Sequence, residues 1–206
     1  MAHDGDKSMI LFGTPVMVFD DVLDEHELKE VQSLCVEICS NTESSHPFDC
    51  DVYSTFGSYN LLEDERFRTF LTKQKERVTK FAKIHEYDWW NNIREEHSWL
   101  NRTEKHQYQE SHKHSPSTFS CCFYPVVPEG SAPLVFVNEV QTDTITFQRS
   151  MHPNLQHKHR VKTVENRLIV FPSWQFHYVP HGRNTKERYS IASNYGVMPP
   201  DIEDRQ

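Results

Sequence analysis

The sequence lacks the excess of positive charge that broad binding to nucleic acid requires. Its 22 lysines and arginines are outnumbered by 30 aspartates and glutamates, which gives a formal net charge of -8 at pH 7. Nonspecific binding to a phosphate backbone depends on a strongly basic face. The local basic run at residues 157–162 is typical of a solvated strand edge, because lysine discourages edge pairing. We therefore do not expect nucleic acid to be a partner.

Long apolar runs and a disulfide framework are also missing. No uninterrupted apolar stretch approaches the length of a membrane span. The apolar residues 9–19 are interrupted by Gly13-Thr14-Pro15 and lack the basic flank of a signal peptide. The five cysteines are odd in number and show no CxxC spacing, a usage that fits a reducing compartment. These absences predict a soluble protein of the cytoplasm with no membrane partner.

The length and composition predict one folded domain. With 206 residues, the chain can bury a sizeable core without a metal or disulfides for support. Its 12% aromatic content is that of a globular protein. No internal repeat or low-complexity linker divides the chain. We predict a single domain over residues 1–206, with a helical support region at 9–87, a β core at 88–197 and a mobile tail at 198–206.

Two helices are predicted in the support region. Asp24 and Glu27 form a possible capping box at the start of the first helix. The apolar face of this helix comprises Leu28, Val31, Leu34, Cys35 and Ile38. Asp64 is expected to open the second helix, whose apolar residues are Phe67, Phe70, Leu71, Val78 and Phe81. Both helices should pack on the outside of a sheet.

The β core contains short segments rich in aromatic and β-branched residues, separated by turn residues. The predicted strands cover residues 93–101, 106–114, 117–124, 133–138, 143–148, 159–163, 167–171, 175–179 and 188–196. Many short strands without helices between them indicate a sandwich. Eight strands in two sheets form a jelly roll, the architecture of cupins. The fold class is therefore mainly β, with two supporting N-terminal helices.

Histidines and an arginine mark the candidate site. His112 and His114 are two residues apart on a predicted strand, so they point to the same face and can chelate one ion. His177 follows the strand that Pro172 ends. Arg188 lies eleven positions further on, a length that we expect to allow a turn and a return along the neighbouring strand. A guanidinium beside a metal suits the far end of a dicarboxylate.

At these residues the chain resembles the 2-oxoglutarate and Fe(II)-dependent oxygenases, specifically a prolyl-hydroxylase-like subgroup of bacteria and phages. The segments that carry the resemblance are Leu11–Val16, Trp99–Asn101, Gln109–Tyr124 and Leu168–Asn194. The resemblance implies a double-stranded β-helix. It also implies that His112, His114 and His177 bind Fe(II), with His114 where most of the superfamily has a carboxylate. Two histidines and a carboxylate are the usual ligands of non-haem Fe(II) oxygenases.

The resemblance further implies a cosubstrate site and a reaction. Arg188 and Ser190 would anchor the C5 carboxylate of 2-oxoglutarate, assisted by Tyr124. Weaker candidates for contacts with the cosubstrate or substrate are Asn101, Gln109 and Asn194. Molecular oxygen and 2-oxoglutarate would be converted into succinate and CO2, with hydroxylation of an unactivated C–H bond. No catalytic side chain beyond the metal ligands is then needed. The primary substrate is left open between a peptide or protein side chain and a small metabolite.

Other side chains compete with His114 for the third metal position. Three neutral imidazoles leave the site one charge unit more positive than two imidazoles and a carboxylate. Glu110 shares the predicted strand face of His112. Two more carboxylates could approach from a neighbouring strand, and these are Glu139 and Asp143. We rank all three carboxylates below His114.

The remaining candidate residues have simpler interpretations. His181 lies in the turn sequence Pro180-His181-Gly182 and is expected to be exposed. A second pair, His157 and His159, is flanked by basic residues and should face solvent. Trp99 and Trp174 are interpreted as core aromatic residues.

Two functions compete with the oxygenase hypothesis. Three histidines and a water molecule also describe catalytic zinc, so a zinc hydrolase or hydratase is the first alternative. A jelly-roll binding module without catalysis is the second.

Overall fold

The computed structural model describes residues 13–138 and 157–198. Several predictions fall outside these residues. They concern Leu11, Phe12, the strand at 143–148, the carboxylates Glu139 and Asp143, and the tail beyond Met198.

The described residues form two antiparallel sheets. The strands are β1 (Met17–Phe19), β2 (Tyr53–Ser54), β3 (Ile93–Thr103), β4 (Gln109–His112), β5 (Phe119–Val126), β6 (Leu134–Val137), β7 (Lys158–Val161), β8 (Arg167–Pro172), β9 (His177–Val179) and β10 (Arg188–Val197). The larger sheet has the order β1-β8-β5-β10-β3-β2, and the smaller has the order β4-β9-β6-β7. The predicted mainly β, jelly-roll architecture is confirmed.

Two helices precede the main run of strands. Helix α1 spans Glu25–Asn41 and begins with the predicted capping box: Asp24 Oδ1 accepts a hydrogen bond from Glu27 N, and Glu27 Oε2 accepts one from Asp24 N, both at 2.9 Å. Helix α2 spans Arg68–Ile84 and follows 3₁₀ turns at Leu61–Glu63 and Glu65–Phe67. The expectation that Asp64 opens α2 is wrong, since Asp64 caps the second 3₁₀ turn by accepting from Arg66 N.

Replacing Asp24 with alanine is expected to lower the free energy of unfolding by about 1 kcal/mol, because the amide of Glu27 loses its acceptor. Denaturant unfolding measures this change. Glu43→Ala removes an exposed carboxylate just beyond α1 and should change stability by less than about 0.5 kcal/mol. Equal losses in the two variants would contradict a capping role.

The helices cover the outer face of the larger sheet, and side chains alternate across that sheet. On β5, Cys121 and Phe123 pack into the buried cluster shared with α1 and α2. Cys122 and Tyr124, on the opposite face of the strand, belong to the cluster between the two sheets. The inner face of the larger sheet thus looks across at the smaller sheet, and the space between the sheets contains the candidate site.

The exposed basic edge of the smaller sheet agrees with the prediction from composition. Strand β7 lies at the edge of the smaller sheet within the described residues, and its Lys158, His159 and Arg160 are exposed, as expected for a solvated basic edge. All five cysteines lie in described residues and are free thiols. Within residues 13–138 and 157–198, no helix is long and apolar enough to cross a membrane.

Candidate metal and cosubstrate site

Three histidines converge between the sheets. His112 on β4 is paired in register with His177 on β9, and His114 follows the end of β4. The backbone amide of His114 donates to Ser173 O over 2.8 Å, which fixes the chain beyond β4. One ring nitrogen from each histidine lies within 4.8 Å of the others. The Nε2 atoms of His114 and His177 are 3.2 Å apart, so both point at one position.

Backbone carbonyls orient two of the rings. His112 Nδ1 lies 2.7 Å from Glu110 O, and His177 Nδ1 lies 2.9 Å from Gln175 O. A carbonyl only accepts, so Nδ1 of each ring carries the proton and donates it. This arrangement leaves the Nε2 lone pair free for a metal ion and is the usual way in which a protein orients a ligating histidine.

Burial keeps all three imidazoles neutral. Loss of solvation lowers the pKa of His112, and it lowers the pKa of His114 to about 3, with a further contribution from the nearby His112. The pKa of His177 is lowered well below its ordinary value by burial and by the other two histidines. Since neutral imidazole is the form that binds metals, the site is prepared for a cation.

We expect the stability of the metal-free protein to decrease as the pH falls below about 6.5, the pKa of an unfolded histidine. Above that pH both states are neutral, and the stability contribution is fully present. Below it the unfolded chain binds protons that the folded site does not bind, until the lower folded pKa is reached. Each histidine then removes about 1.4 kcal/mol per pH unit from the free energy of unfolding.

Urea unfolding of the metal-free protein between about pH 5 and pH 8 measures this dependence, which should be shallower in His114→Gln. Equal slopes in the variant and the wild type would contradict the lowered pKa of His114.

A buried arginine faces the histidines across the cavity. The side chain of Arg188 is only 4% exposed. Its Nη1 donates to Ala132 O and its Nη2 to Thr103 Oγ1, both at 3.2 Å. Its Nε has no hydrogen-bond partner among the residues that the structure describes, and no carboxylate there forms an ion pair with it. A buried guanidinium without a counterion is costly, so the position favours binding of an anion.

The route by which Arg188 reaches the site differs from the expectation. We expected the chain to return along the strand next to His177. Instead β9 lies in the smaller sheet and β10 in the larger one. The segment between them crosses from one sheet to the other, so Arg188 approaches the histidines from the opposite wall.

The cavity brings most of the predicted residues together. Its walls include the three histidines and Arg188, and also Ser190, Tyr124, Asn101 and Gln109. Asn101 Oδ1 is buried and has no hydrogen-bond partner within the described residues. Asn194 is not part of the cavity wall and accepts a hydrogen bond from Ser120 Oγ at 2.9 Å. Its predicted contact with the cosubstrate therefore has no support from this geometry.

The rival ligands among the described residues lie outside the histidine group. Glu110 accepts hydrogen bonds from Asp49 N and Gln109 Nε2, both at 3.2 Å, and is outside the histidine group. His181 is exposed, with Nδ1 2.6 Å from His106 O. His157 and His159 are also exposed, as predicted.

Some residues of the site were not identified from the sequence. Thr103 holds Arg188, and it continues the inward alternation of Trp99 and Asn101 on β3, so strand periodicity could have identified it. Phe48 lines the cavity from a loop and carries no such signal. The interpretation of Trp174 as a core residue is wrong, because this side chain is 54% exposed in the turn after β8.

The side chains present fit Fe(II) and 2-oxoglutarate. Imidazole nitrogens that point at one position suit divalent iron, zinc, copper or nickel. The unpartnered Nε of Arg188 supplies a buried donor for a carboxylate. Both features line one cavity, as a cosubstrate that spans metal and arginine requires.

Known structures share the fold over nearly the whole chain. A prolyl-4-hydroxylase of Pseudomonas putida has a TM-score of 0.61 at 11% identity, covering 89% of this chain and 93% of that chain. The epimerase SnoN, in complex with Fe3+, alpha ketoglutarate and nogalamycin RO, has a TM-score of 0.65 at 13% identity, with coverages of 92% and 83%. A Trichoplax adhaerens prolyl hydroxylase, in complex with a hypoxia inducible factor peptide, has a TM-score of 0.60 at 12% identity, with coverages of 88% and 83%.

A family model matches part of the chain. No curated protein matches the chain. Residues 97–194 match the model of a 2OG-Fe(II) oxygenase family, and this segment contains all three histidines and Arg188. This segment is therefore similar to the 2-oxoglutarate and Fe(II)-dependent oxygenases.

Proposed function

We propose that His112, His114 and His177 hold Fe(II) and that Arg188 holds the C5 carboxylate of 2-oxoglutarate. The observation that supports this assignment is a buried guanidinium without a counterion among the described residues, in one cavity with three neutral imidazoles. Ser190 and Tyr124 line the same cavity and assist the arginine. Burial raises the pKa of Tyr124 far above its usual value, so its hydroxyl stays protonated and can donate to a carboxylate.

The reaction that we propose is hydroxylation of an unactivated C–H bond, with oxygen consumed and succinate and CO2 released. Bound Fe(II) supplies the activation of oxygen. The chain fixes the three imidazoles, orients 2-oxoglutarate through Arg188 and excludes water with the apolar lining of the cavity, such as Leu134 and Val179. No side chain has to act as a general base.

The substrate belongs to one of two classes. One structural neighbour is in complex with a peptide fragment, and another with nogalamycin RO. We propose that the substrate is either a peptide or protein side chain or a small metabolite, admitted past Phe48 at the cavity wall.

The free cysteines fit a reducing compartment, and we propose that the protein is located in the cytoplasm.

Turnover of 2-oxoglutarate tests the proposed reaction. The protein is loaded anaerobically with Fe(II), mixed with 2-oxoglutarate and oxygen, and assayed for succinate by NMR. We expect succinate only when all three components are present. Metal content alone does not discriminate, because zinc outcompetes Fe(II) at such ligands. Hydrolysis that proceeds without oxygen would instead support the zinc alternative.

A binding measurement addresses the non-catalytic alternative. N-oxalylglycine mimics 2-oxoglutarate, and calorimetry should detect Fe(II)-dependent binding. If no such binding occurs, the cavity is that of a binding module without oxygenase chemistry.

Replacing His114 with alanine is expected to lower Fe(II) affinity at least about tenfold, since a direct ligand should matter at least as much as the groups that orient ligands. Anaerobic titration with Fe(II) measures the change. The matched control is His159→Ala, which removes an exposed histidine from the second HxH pair. Unchanged affinity in His114→Ala would exclude this histidine as a ligand and reopen the case for a carboxylate.

A further inference from the structure

Trp99 has a place in the site that its burial alone does not explain. It is 2% exposed, lies on the inner face of β3 and forms part of the cavity wall. Its ring stacks on His114, with centroids 5.5 Å apart and planes at 28°. The residue paired with it on β10 is Ala192, whose small side chain leaves room for the indole in the cavity.

His114 differs from the other two histidines in how its ring is oriented. The Nδ1 atoms of His112 and His177 lie against backbone carbonyls. Among the described residues, no hydrogen bond to Nδ1 of His114 is found. This histidine also lies beyond the end of β4, so ladder hydrogen bonds do not fix its side-chain direction. The His114 ring also packs against His112 and His177, the other two candidate ligands, with centroids 5.0 Å and 5.1 Å away. Outside the histidine group, the flat face of Trp99 is the ring that stacks on this imidazole and limits its rotation.

Trp99 is itself held on two sides. The edge of Phe56 meets the indole at 89° with centroids 5.0 Å apart, and His97 stacks on it at 5.5 Å and 25°. His97 is in turn fixed by its Nε2, 3.0 Å from Phe56 O. The indole is thus a rigid support, which a side chain must be if it is to orient another.

We propose that Trp99 is a positioning residue for His114, replacing with a stacked ring the carbonyl that orients each of the other two histidines. The inference rests on the proposed function, because it assumes that His114 is a metal ligand. It assigns no contact between Trp99 and the reacting atoms.

A double-mutant cycle tests the proposal with Co(II) as the probe. Co(II) binding is followed by visible absorption in the wild type, Trp99→Leu, His114→Ala and the double variant. Trp99→Leu should weaken binding about tenfold in the wild-type background, as loss of an orienting group does. In the His114→Ala background it should weaken binding less than about twofold, because the ring that it positions is gone.

The absorption spectrum gives a readout that a merely structural role would not change. Trp99→Phe keeps a flat face and should retain the wild-type Co(II) spectrum and most of the affinity. Trp99→Leu should shift the spectrum towards that of His114→Ala. The matched control is Phe70→Leu, which shortens a buried aromatic side chain in the core between the helices and the larger sheet. It should leave the Co(II) spectrum and the Co(II) affinity unchanged.

The outcomes separate this proposal from the one on which it rests. Equal weakening by Trp99→Leu in both backgrounds would overturn the positioning role. If Trp99→Leu does not fold, the same cycle with Phe56→Leu decides, since Phe56 holds the indole. Failure of the wild type to bind Co(II), or unchanged binding in His114→Ala, would instead refute the metal assignment itself.

Discussion

Replacing Arg188 with methionine is expected to weaken 2-oxoglutarate binding by at least about 30-fold, as loss of one partner of a buried charge pair does. Methionine fills a similar volume but offers the C5 carboxylate no donor. Among the described residues of the cavity wall, Arg188 is the only lysine or arginine. No other side chain there can therefore replace its positive charge. Calorimetry with the Fe(II)-loaded protein under nitrogen measures the affinity.

Two further variants test whether the effect is specific to the guanidinium of Arg188. Arg188→Lys keeps the charge but loses the planar pair of donors, so its affinity should be intermediate. Arg183→Met removes an exposed arginine five residues away and should bind 2-oxoglutarate normally. Fe(II) affinity should be unchanged in all three variants. An Arg188→Met protein with wild-type affinity for 2-oxoglutarate would show that the buried guanidinium has only a structural role.

Replacing His177 with alanine is expected to lower Fe(II) affinity by about 100-fold or more and to abolish succinate release. His177 is the most buried of the three histidines, at 3% exposed, and the Gln175 carbonyl fixes its ring. Removing this direct ligand should therefore lower Fe(II) affinity by more than the roughly 10- to 100-fold that is typical when a group that only orients a ligand is removed.

The chain offers a matched control for this variant. His181→Ala removes an exposed histidine four residues further along and should retain both metal binding and turnover. Anaerobic Fe(II) titration and succinate release by NMR are the two measurements. If His177→Ala retains turnover, His177 is not a metal ligand.

The features that were predicted correctly depend on local spacing. The expectation that His112 and His114 point to the same side came from the alternation of side chains along a strand, and both side chains do line the cavity, although β4 ends at His112 and not at His114 as predicted. The capping box at Asp24 follows from a three-residue spacing. Such patterns are readable in one sequence because the partners are close along the chain.

The features that were missed depend on long-range packing. Which sheet β10 joins is decided by its pairing with β3 and β5, not by the short segment after β9. The exposure of Trp174 depends on the path of the turn after β8, and an indole gives no local signal of it. The stack of Trp99 on His114 joins residues fifteen positions apart that no periodicity connects.

The division of the site between two sheets has a consequence for the choice of diacid. Two of the histidines are carried by strands of the smaller sheet, and the arginine by the larger one. Under the proposed function, a diacid bound to both the metal and Arg188 would span the space between the two sheets. In the proposed binding mode, the distance between the sheets, which apolar packing sets, would select the carbon-chain length of the keto acid. A shorter keto acid would reach only one of the two groups, and a longer one would not fit in an extended conformation.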